Sequence, residues 1–401
     1  MEFDAIVVGA GPAGSTAAKF LAENGVKVLL LDKSKFPRDK PCGGGIPIMS
    51  LKRFKYIQNL IDSYTYGGCL HSTSLKYKVE FQKDEPILGM VLRKHFDHGL
   101  VNFAIESGAT FRDCSTVDDV TVDKGEISVK LHDGTNIHSQ LVIGADGVWS
   151  TVAKKSGLGP NPNVGMSIYQ EIPLSTEIMD QYYSSHRIAH VHLKLQGIAG
   201  YGWIFPKNEH INIGVCEFES TEESKKRGIN LKDVYKKYID ALKRQNLIPA
   251  DLKGGNIRGA ALPLRPLKKT YANRILLCGD AAGLINPVTG EGIAFALLSG
   301  EIAANVAIES LSSGDTSAKF LSKYETLWKK DFGKDIKAFL NIQKRWRDRA
   351  ETVVKLASGD KVIAEYAFDV AVGNVSIHEI KWKLARRFIC LYLKDLFRKN
   401  K

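Results

Sequence analysis

Gly9, Gly11 and Gly14 directly follow the apolar run Ala5–Val8 and have the G-x-G-x-x-G spacing with which a strand turns into a helix against a pyrophosphate. Gly9 permits the tight turn, Gly11 lets backbone approach the phosphates, and Gly14 lets the helix pack on the sheet. Pro12 and Ala13 sit at the helix start, whose free N–H groups face an anion. Asp32, with Lys33 after it, closes the next apolar run, Val28–Leu31, at about the distance of a carboxylate that holds ribose hydroxyls. This is chemistry for binding a dinucleotide, and it does not choose between FAD and a nicotinamide.

A second segment makes that choice. Ile275–Cys278 reads as a buried strand, and Gly279 and Asp280 follow where a carboxylate can hold a ribityl chain or the pyrophosphate side of a flavin cofactor; a helix cap is the plainer role for Asp280. Gly290, Gly292 and Ile293 then open an apolar helix to about Ile308, whose first N–H groups would stabilise negative charge on the N1/C2=O edge of a reduced flavin. The stretch LVIGADGVWS, with Asp146, reads as a strand returning to the same domain. The expected cofactor is FAD.

Two further groups of residues invite chemistry. Cys42 stands between Pro41 and the triplet Gly43, Gly44, Gly45, a segment that supplies no packing area and suits backbone passing close to a flat ligand; an inert thiol in a tight loop is the alternative. Tyr201, Trp203 and Phe205 alternate along one strand, which puts all three on one face as either core or the wall of an apolar tunnel.

GAGPAGSTAAKFLAENG, FPRDKPCGGGI, YGWIFPK and CGDAAGLINPVTGEGI, which span about the first 310 residues, together resemble the geranylgeranyl reductases. The similarity is greatest to the archaeal digeranylgeranylglycerophospholipid reductases, within the flavoprotein superfamily of the p-hydroxybenzoate hydroxylase fold. The PCGGG segment is the family-specific part; the glycine-rich and GD segments occur across the superfamily. The resemblance implies that Arg93, at the start of a helix ending near Gly108, reaches the flavin side of the cofactor, with a surface charge as the alternative. It implies that Cys42, Gly43 and Gly44 lie at the cofactor, that Gly45, Tyr201, Trp203 and Phe205 line a substrate tunnel, and that the substrate is an isoprenoid lipid. An isolated isoprenoid double bond has no carbonyl to withdraw electrons, so saturation requires a proton on one carbon and a hydride on the other, in a dry channel. Cys42 and Tyr201 are the candidates for the acid or its relay. The electron donor is either NADPH/NADH or a small ferredoxin-like protein. The alternative function is an FAD-dependent monooxygenase acting on an apolar substrate, which would add oxygen rather than hydrogen. A halogenase Trp-x-Trp pair is replaced here by Tyr201-Gly202-Trp203.

The elements needed to position these residues give an α/β chain: a Rossmann-like FAD-binding domain, an α+β substrate domain with an antiparallel sheet, and a helical C-terminal tail. The expected division is 1–50, 85–160 and 270–310 for the FAD-binding domain, 51–84 and 161–269 for the substrate domain, and 311–401 for the tail. Period-two patterns such as IAHVHLKL and HINIGVCEF supply the substrate sheet, with a helix near Leu231–Arg244 at its outer edge.

At 401 residues the chain can bury a large core. Its apolar runs read as too short or too interrupted to span a bilayer, and with no signal peptide visible the expected location is cytoplasmic. Five cysteines, Cys69, Cys114, Cys216, Cys278 and Cys390, read as buried small apolar groups, and the cysteine spacing suggests no metal. His190 and His192 share a strand face, read as a polar or interdomain surface. Residues 321–401 hold 19 Lys and Arg against 10 Asp and Glu, most of the formal net charge of +12. There, Ile377, Ile380, Leu384, Phe388 and Leu391 form one helical face, with Lys381, Lys383, Arg386, Arg387, Lys394 and Arg398 elsewhere. That pattern suits either a helix lying on the inner face of an anionic membrane or a helix docked on the enzyme body. No nucleic-acid recognition motif is present, so no such partner is expected.

Overall fold

The computed structural model describes residues 2–123, 125–161, 163–346 and 349–399, without side chains at 345–346 and 394–399. The chain forms two compact units, Met1–Lys40, Leu92–Val164 and Ala261–Ile336 in the first and Pro41–Val91, Gly165–Ala260 and Lys337–Lys401 in the second.

The first unit is built on a six-stranded sheet in the order Tyr271–Ala272, Ile275–Leu277, Leu141–Gly144, Ala5–Val8, Val28–Leu31, Thr110–Arg112. All pairings are parallel except that of the two-residue strand Tyr271–Ala272. The four central strands are continuously apolar and fully buried, as a sheet covered on both faces requires. The chain enters at Ala5–Val8 in mid-sheet and leaves in both directions from it, which makes the carboxyl ends of Ala5–Val8 and Leu141–Gly144 the topological switch point. Helix Pro12–Glu23 packs against helix Ile293–Ser313 so closely that a Cβ on Gly300 would stand 2.3 Å from the Ala13 carbonyl oxygen. The sequence suggested that no apolar run could cross a bilayer. Ile293–Ser313 is long and apolar enough to do so, but two-thirds of it is buried inside the protein, so its apolarity has a core role.

The second unit has a seven-stranded sheet in the order Arg258–Pro263, Val164–Pro173, His210–Glu217, Tyr201–Pro206, Ala189–Leu193, Gly67–His71, Lys78–Gln82. It departs from the expected antiparallel sheet at one place, the parallel pairing of Ala189–Leu193 with Gly67–His71. Helix Leu231–Arg244 covers a face of this sheet and not its edge: a Cβ on Gly202 would meet the Tyr238 ring at 2.7 Å, and Val234, Tyr235, Tyr238 and Leu242 share a core with Ile204, Ile211, Ile213 and Val215. A smaller sheet orders Gly45–Pro47, Leu88–Met90 and Ser63–Thr65.

The tail is not a third body. Helix Ala318–Trp328 belongs to the first unit, where Glu325 accepts from Thr270 N at 3.0 Å and Trp328 Nε1 donates to Thr270 Oγ1 at 3.1 Å. Helices Ala350–Ser358, Lys361–Ala371 and Ile377–Lys399 belong to the second. Of the two readings of the last helix's apolar face, lying on a membrane or docked on the body, it is docked: Ile377 and Ile380 are buried, and Phe388 and Leu391 pack on Val79, Val354, Ala357, Ile363 and Ala364. Of the cysteines read as buried, Cys114 and Cys390 are exposed because they occupy a surface turn and the outer side of the last helix.

Candidate functional site

In the first unit the glycines meet backbone. Gly9 has φ +101°, and a Cβ there would be 2.4 Å from the Ala145 carbonyl oxygen; on Gly14 it would be 1.8 Å from the Gly9 oxygen. Gly11 differs, since the nearest neighbour of an added Cβ is the Arg38 side chain at 3.7 Å. The outer two glycines thus lock strand, turn and helix together, and the middle one faces the open mouth of the turn. Pro12 opens the helix and, with Ala13, is buried. Asp32 Oδ2 accepts from Ala10 N at 2.9 Å and Oδ1 from Ser34 N at 2.8 Å, which orients the carboxylate while each oxygen retains a lone pair for a hydroxyl donor. Lys33 is exposed beside it.

Arg93 is not a surface charge. It is 7% exposed and grips Asp97 with Nε and Nη2, each at 2.7 Å. Arg38 Nη1 joins the same carboxylate at 2.7 Å. Burial opposes charge on Asp97, yet Arg93 beside it, helped by Arg38 and Lys40, holds its carboxyl below the usual range. Asp146 has a local task as well: it accepts from Ser150 Oγ at 2.5 Å and Val152 N at 3.1 Å, anchoring the start of helix Thr151–Lys155, and burial raises its pKa.

At the other end of the cradle, Gly279 has φ +56° and donates its N–H to Ser299 Oγ at 2.9 Å. The Asp280 carboxylate stands 3.6 Å from Lys40 Nζ and faces Gly292, where a Cβ would come within 3.5 Å of Oδ1. Gly290 has φ +69°, and Gly292 precedes Ile293, the first residue of the long helix. Sequence reasoning passed over Glu291 between them. Its Oε1 accepts from Ala294 N at 2.7 Å, and burial pushes it up to about 7, opposed by the Ala294 and Ile293 N–H groups and reinforced by Asp280. Two helix N-termini, an open glycine turn and two oriented carboxylates make a cradle fit for a dinucleotide.

In the second unit Gly43 meets side chains. A Cβ on Gly43 would stand 2.8 Å from Phe205 Cδ2 and 3.6 Å from Trp203 Nε1, so the loop lies flat on the aromatic strand. Gly44 meets backbone as Gly9 does: it has φ +83°, a Cβ there would stand 2.3 Å from the Val91 carbonyl oxygen, and its own carbonyl accepts from Val91 N at 2.9 Å, while Gly45 opens the strand that pairs with Leu88–Met90. This is why the loop groups with the second unit and not with the first, where the division at residue 50 had put it. The Cys42 sulfur accepts from Gly44 N at 3.4 Å.

The aromatic residues share one face, with Tyr201 5.9 Å from Trp203 and Trp203 6.1 Å from Phe205 between ring centres. They are not equivalent. Trp203 lies over Gly214 of the next strand, is 5% exposed, and gives its indole N–H to Asn212 Oδ1 at 2.7 Å, so it is core; Tyr201 and Phe205 are half-buried. Asn212 extends this contact into a network that sequence reasoning missed: its Nδ2 donates to the Cys42 carbonyl at 3.1 Å and to Glu171 Oε2 at 2.7 Å. Lys207, whose side chain is 1% exposed, donates to the same Glu171 oxygen at 2.6 Å. Glu171 Oε1 is buried with no hydrogen-bond partner among the described residues. The only sequence signal for this network was a lysine closing an otherwise apolar strand.

The FAD binding domain family matches residues 2–327. Digeranylgeranylglycerophospholipid reductase 1 of Methanopyrus kandleri is 33% identical over 347 residues, covering 83% of this chain and 87% of its own. Digeranylgeranylglycerophospholipid reductase of Methanococcus vannielii is 30% identical over 391 residues and 95% of each chain. A geranylgeranyl bacteriochlorophyll reductase-like protein from Thermoplasma acidophilum has the same fold, with a TM-score of 0.78 at 23% identity over 94% of this chain and 98% of its own. The residues of the cradle fit the cofactor that this family binds. The chain therefore belongs to the geranylgeranyl reductase family of FAD-binding flavoproteins, and it is a flavin-dependent oxidoreductase whose cofactor is FAD.

Proposed function

We propose that the protein saturates the isoprenoid double bonds of geranylgeranyl chains, with digeranylgeranylglycerophospholipids of archaeal-type membranes as its substrate. The observation that carries this reading is the similarity to the Methanococcus vannielii reductase across 95% of both chains, which extends well beyond the cofactor cradle. The half-buried Tyr201 and Phe205 beside a glycine loop supply an apolar surface for a polyprenyl chain.

FAD, when bound, supplies the hydride. Asp32 and the Gly9–Gly14 turn hold its adenosine and pyrophosphate end, and Asp280, Gly290 and Gly292 hold the end nearer the flavin. The second unit's part is to align an alkene, exclude water and provide one proton. Cys42 Sγ, fixed by the Gly44 N–H, and the Tyr201 hydroxyl are the atoms that hold that proton or relay it. Asn212, through the Cys42 carbonyl, positions the loop that carries the thiol.

Incubating the chemically reduced enzyme with the unsaturated lipid is expected to give products that gain two hydrogens per reduced bond; products that gain oxygen would transfer the assignment to a monooxygenase. Cys42→Ser is expected to retain FAD and fold yet slow oxidation of the reduced enzyme by lipid by about tenfold or more, with reduction by the donor unchanged. Unaltered single-turnover lipid reduction would leave Cys42 a loop residue. Rapid-mixing reduction with NADPH, NADH and a ferredoxin-like protein identifies the donor.

The protein is cytoplasmic and peripheral on the inner face of the membrane, through the outward side of helix Ile377–Lys399. Trp382, Ile389, Tyr392 and Leu393 are 72%, 60%, 50% and 47% exposed there, beside the exposed Lys383 and Arg386. Such a basic, aromatic-containing strip suits an anionic lipid surface. Vesicles rich in anionic lipid are expected to sediment the wild-type protein, and Trp382→Ala with Ile389→Ser to weaken that binding about tenfold; equal binding by wild type and variant rejects this surface.

A further inference from the structure

On the face of the large sheet opposite the aromatic wall lies a group of side chains that the redox chemistry does not use. Cys69 and His71 alternate on strand Gly67–His71, and His190 and His192 on Ala189–Leu193. The parallel register sets Cys69 beside His190 and His71 beside His192, and the antiparallel register on the other side sets Cys69 beside Glu80. His190 and His192 also lie across from Ile204 and Gly202, the residues that alternate with Tyr201, Trp203 and Phe205. One pleated face therefore collects a thiol, three imidazoles and a carboxylate, all within the second unit.

The distances select three of them. His71 Nε2 and His190 Nδ1 stand 3.0 Å apart, and with Cys69 Sγ these ligand atoms all lie within 4.8 Å of one another. In a tetrahedral site with bonds of about 2.0–2.3 Å to nitrogen and sulfur, neighbouring ligand atoms are about 3.3–3.8 Å apart, so small side-chain adjustments bring all three onto one ion. Glu80 Oε1, 3.9 Å from Cys69 Sγ, reaches in from the exposed side and offers a fourth ligand in exchange for its ion pair with Lys78. His192 supports the arrangement: its ring stacks on His71 at 4.1 Å, its Nδ1 meets the Tyr238 hydroxyl at 2.8 Å, and its buried Nε2 has no partner among the described residues.

We propose that Cys69, His71 and His190, completed by Glu80, form a binding site for one zinc-type divalent cation that ties together three neighbouring strands of the second unit. Sulfur and imidazole donors select a borderline-soft ion over magnesium or calcium, which need oxygen ligands. Binding releases the thiol proton to solvent and frees Lys78 from Glu80, and it forms one sulfur–metal, two nitrogen–metal and one oxygen–metal bond, with no change of oxidation state. The alternating C-x-H and H-x-H pairs are invisible to a search for close cysteine pairs, because the site is closed only by the pairing of strands far apart in sequence.

The test uses the FAD-loaded protein after chelator treatment, titrated with Zn²⁺ or Co²⁺ alone. Expected are one Zn²⁺ per chain bound with a Kd below about 1 μM, a raised Tm, and a Co²⁺ form with the intense long-wavelength bands of tetrahedral coordination and a thiolate charge-transfer band. Cys69→Ser should abolish the charge-transfer band, and His190→Gln should weaken Zn²⁺ binding at least tenfold, with the FAD spectrum unchanged in both. Weak, octahedral Co²⁺ absorption in the wild type overturns the proposal without recourse to any variant. So does tight binding that both substitutions leave unaltered, or preference for Mg²⁺ over Zn²⁺.

Discussion

The cofactor cradle and the loop on the aromatic wall are both built around glycines, but what surrounds those glycines differs. Gly9 and Gly14 abut main-chain carbonyls, whereas Gly43 abuts the ring of Phe205. Main chain in a sheet and helix cannot retreat; a ring can turn or be shortened. The first site is therefore rigid at both of these glycines, whereas the second is fixed to the Val91 main chain at Gly44 and is a negotiated contact among side chains from separate strands only at Gly43.

The largest expected effect tests the rigid site. Gly14→Ala should destabilise the first unit by more than about 3 kcal/mol and leave the purified chain without FAD, as read from the ratio of flavin to protein absorbance. No change in a neighbouring side chain should restore it. A Gly14→Ala protein with full FAD content would erase the distinction drawn above.

Next in size is the polar layer under the loop. Lys207→Met leaves Glu171 without its buried cation and should cost roughly 3–5 kcal/mol in urea unfolding, while Lys207→Met with Glu171→Leu should cost much less. Additive losses would mean that the two residues do not act as a pair.

Gly43→Ala sharpens the comparison directly. The alanine should destabilise by about 1–3 kcal/mol, and shortening the ring with Phe205→Leu should recover part of the loss. Absence of any recovery would make this loop as rigid as the cradle.

An effect no larger, and confined to high pH, concerns Glu291, whose pKa rises from 4.5 to about 7 on folding. The protonated form is favoured in the folded state, so the stabilising contribution is complete below about pH 4.5 and is lost as pH climbs through about 7. Glu291→Gln should remove that dependence and raise stability by about 1–3 kcal/mol at pH 8 relative to the wild type. Parallel stability–pH curves for the two proteins would place the titration elsewhere.

The same contrast explains what could be read before the structure was known. The strands Ala5–Val8, Val28–Leu31 and Leu141–Gly144 and the helix Leu231–Arg244 follow from local pattern, since apolar runs, glycine spacing and 3.6-residue periodicity are short-range signals. Sequence could align Tyr201, Trp203 and Phe205 on one face but could not say that Gly214 makes room for Trp203 to lie down and become core. Nor could it pair Lys207 with Glu171, or Cys69 with His190, because those contacts depend on which strands become neighbours. The C-terminal helix illustrates a different gap. Its periodicity located one apolar stripe, and that stripe is buried on the body, while a second, interrupted strip of Trp382, Ile389 and Leu393 faces outward.

The seat of Gly300 on the Ala13 carbonyl has a consequence for the order of synthesis. Helix Pro12–Glu23 is synthesised well before one surface it packs against, Ile293–Ser313, which is made only after the whole sheet of the second unit has been translated. Until then the helix packs on strand Val28–Leu31 and helix Arg93–Glu106 while its side that receives Gly300 stays uncovered, and the closure of so long a loop is a slow step for the chain. A nascent polypeptide halted before Ile293 would thus carry an intact glycine fingerprint and all six strands of the nucleotide sheet but not the second helix N-terminus of the cradle, so that acquisition of the cofactor waits for a segment made long after its glycine signature.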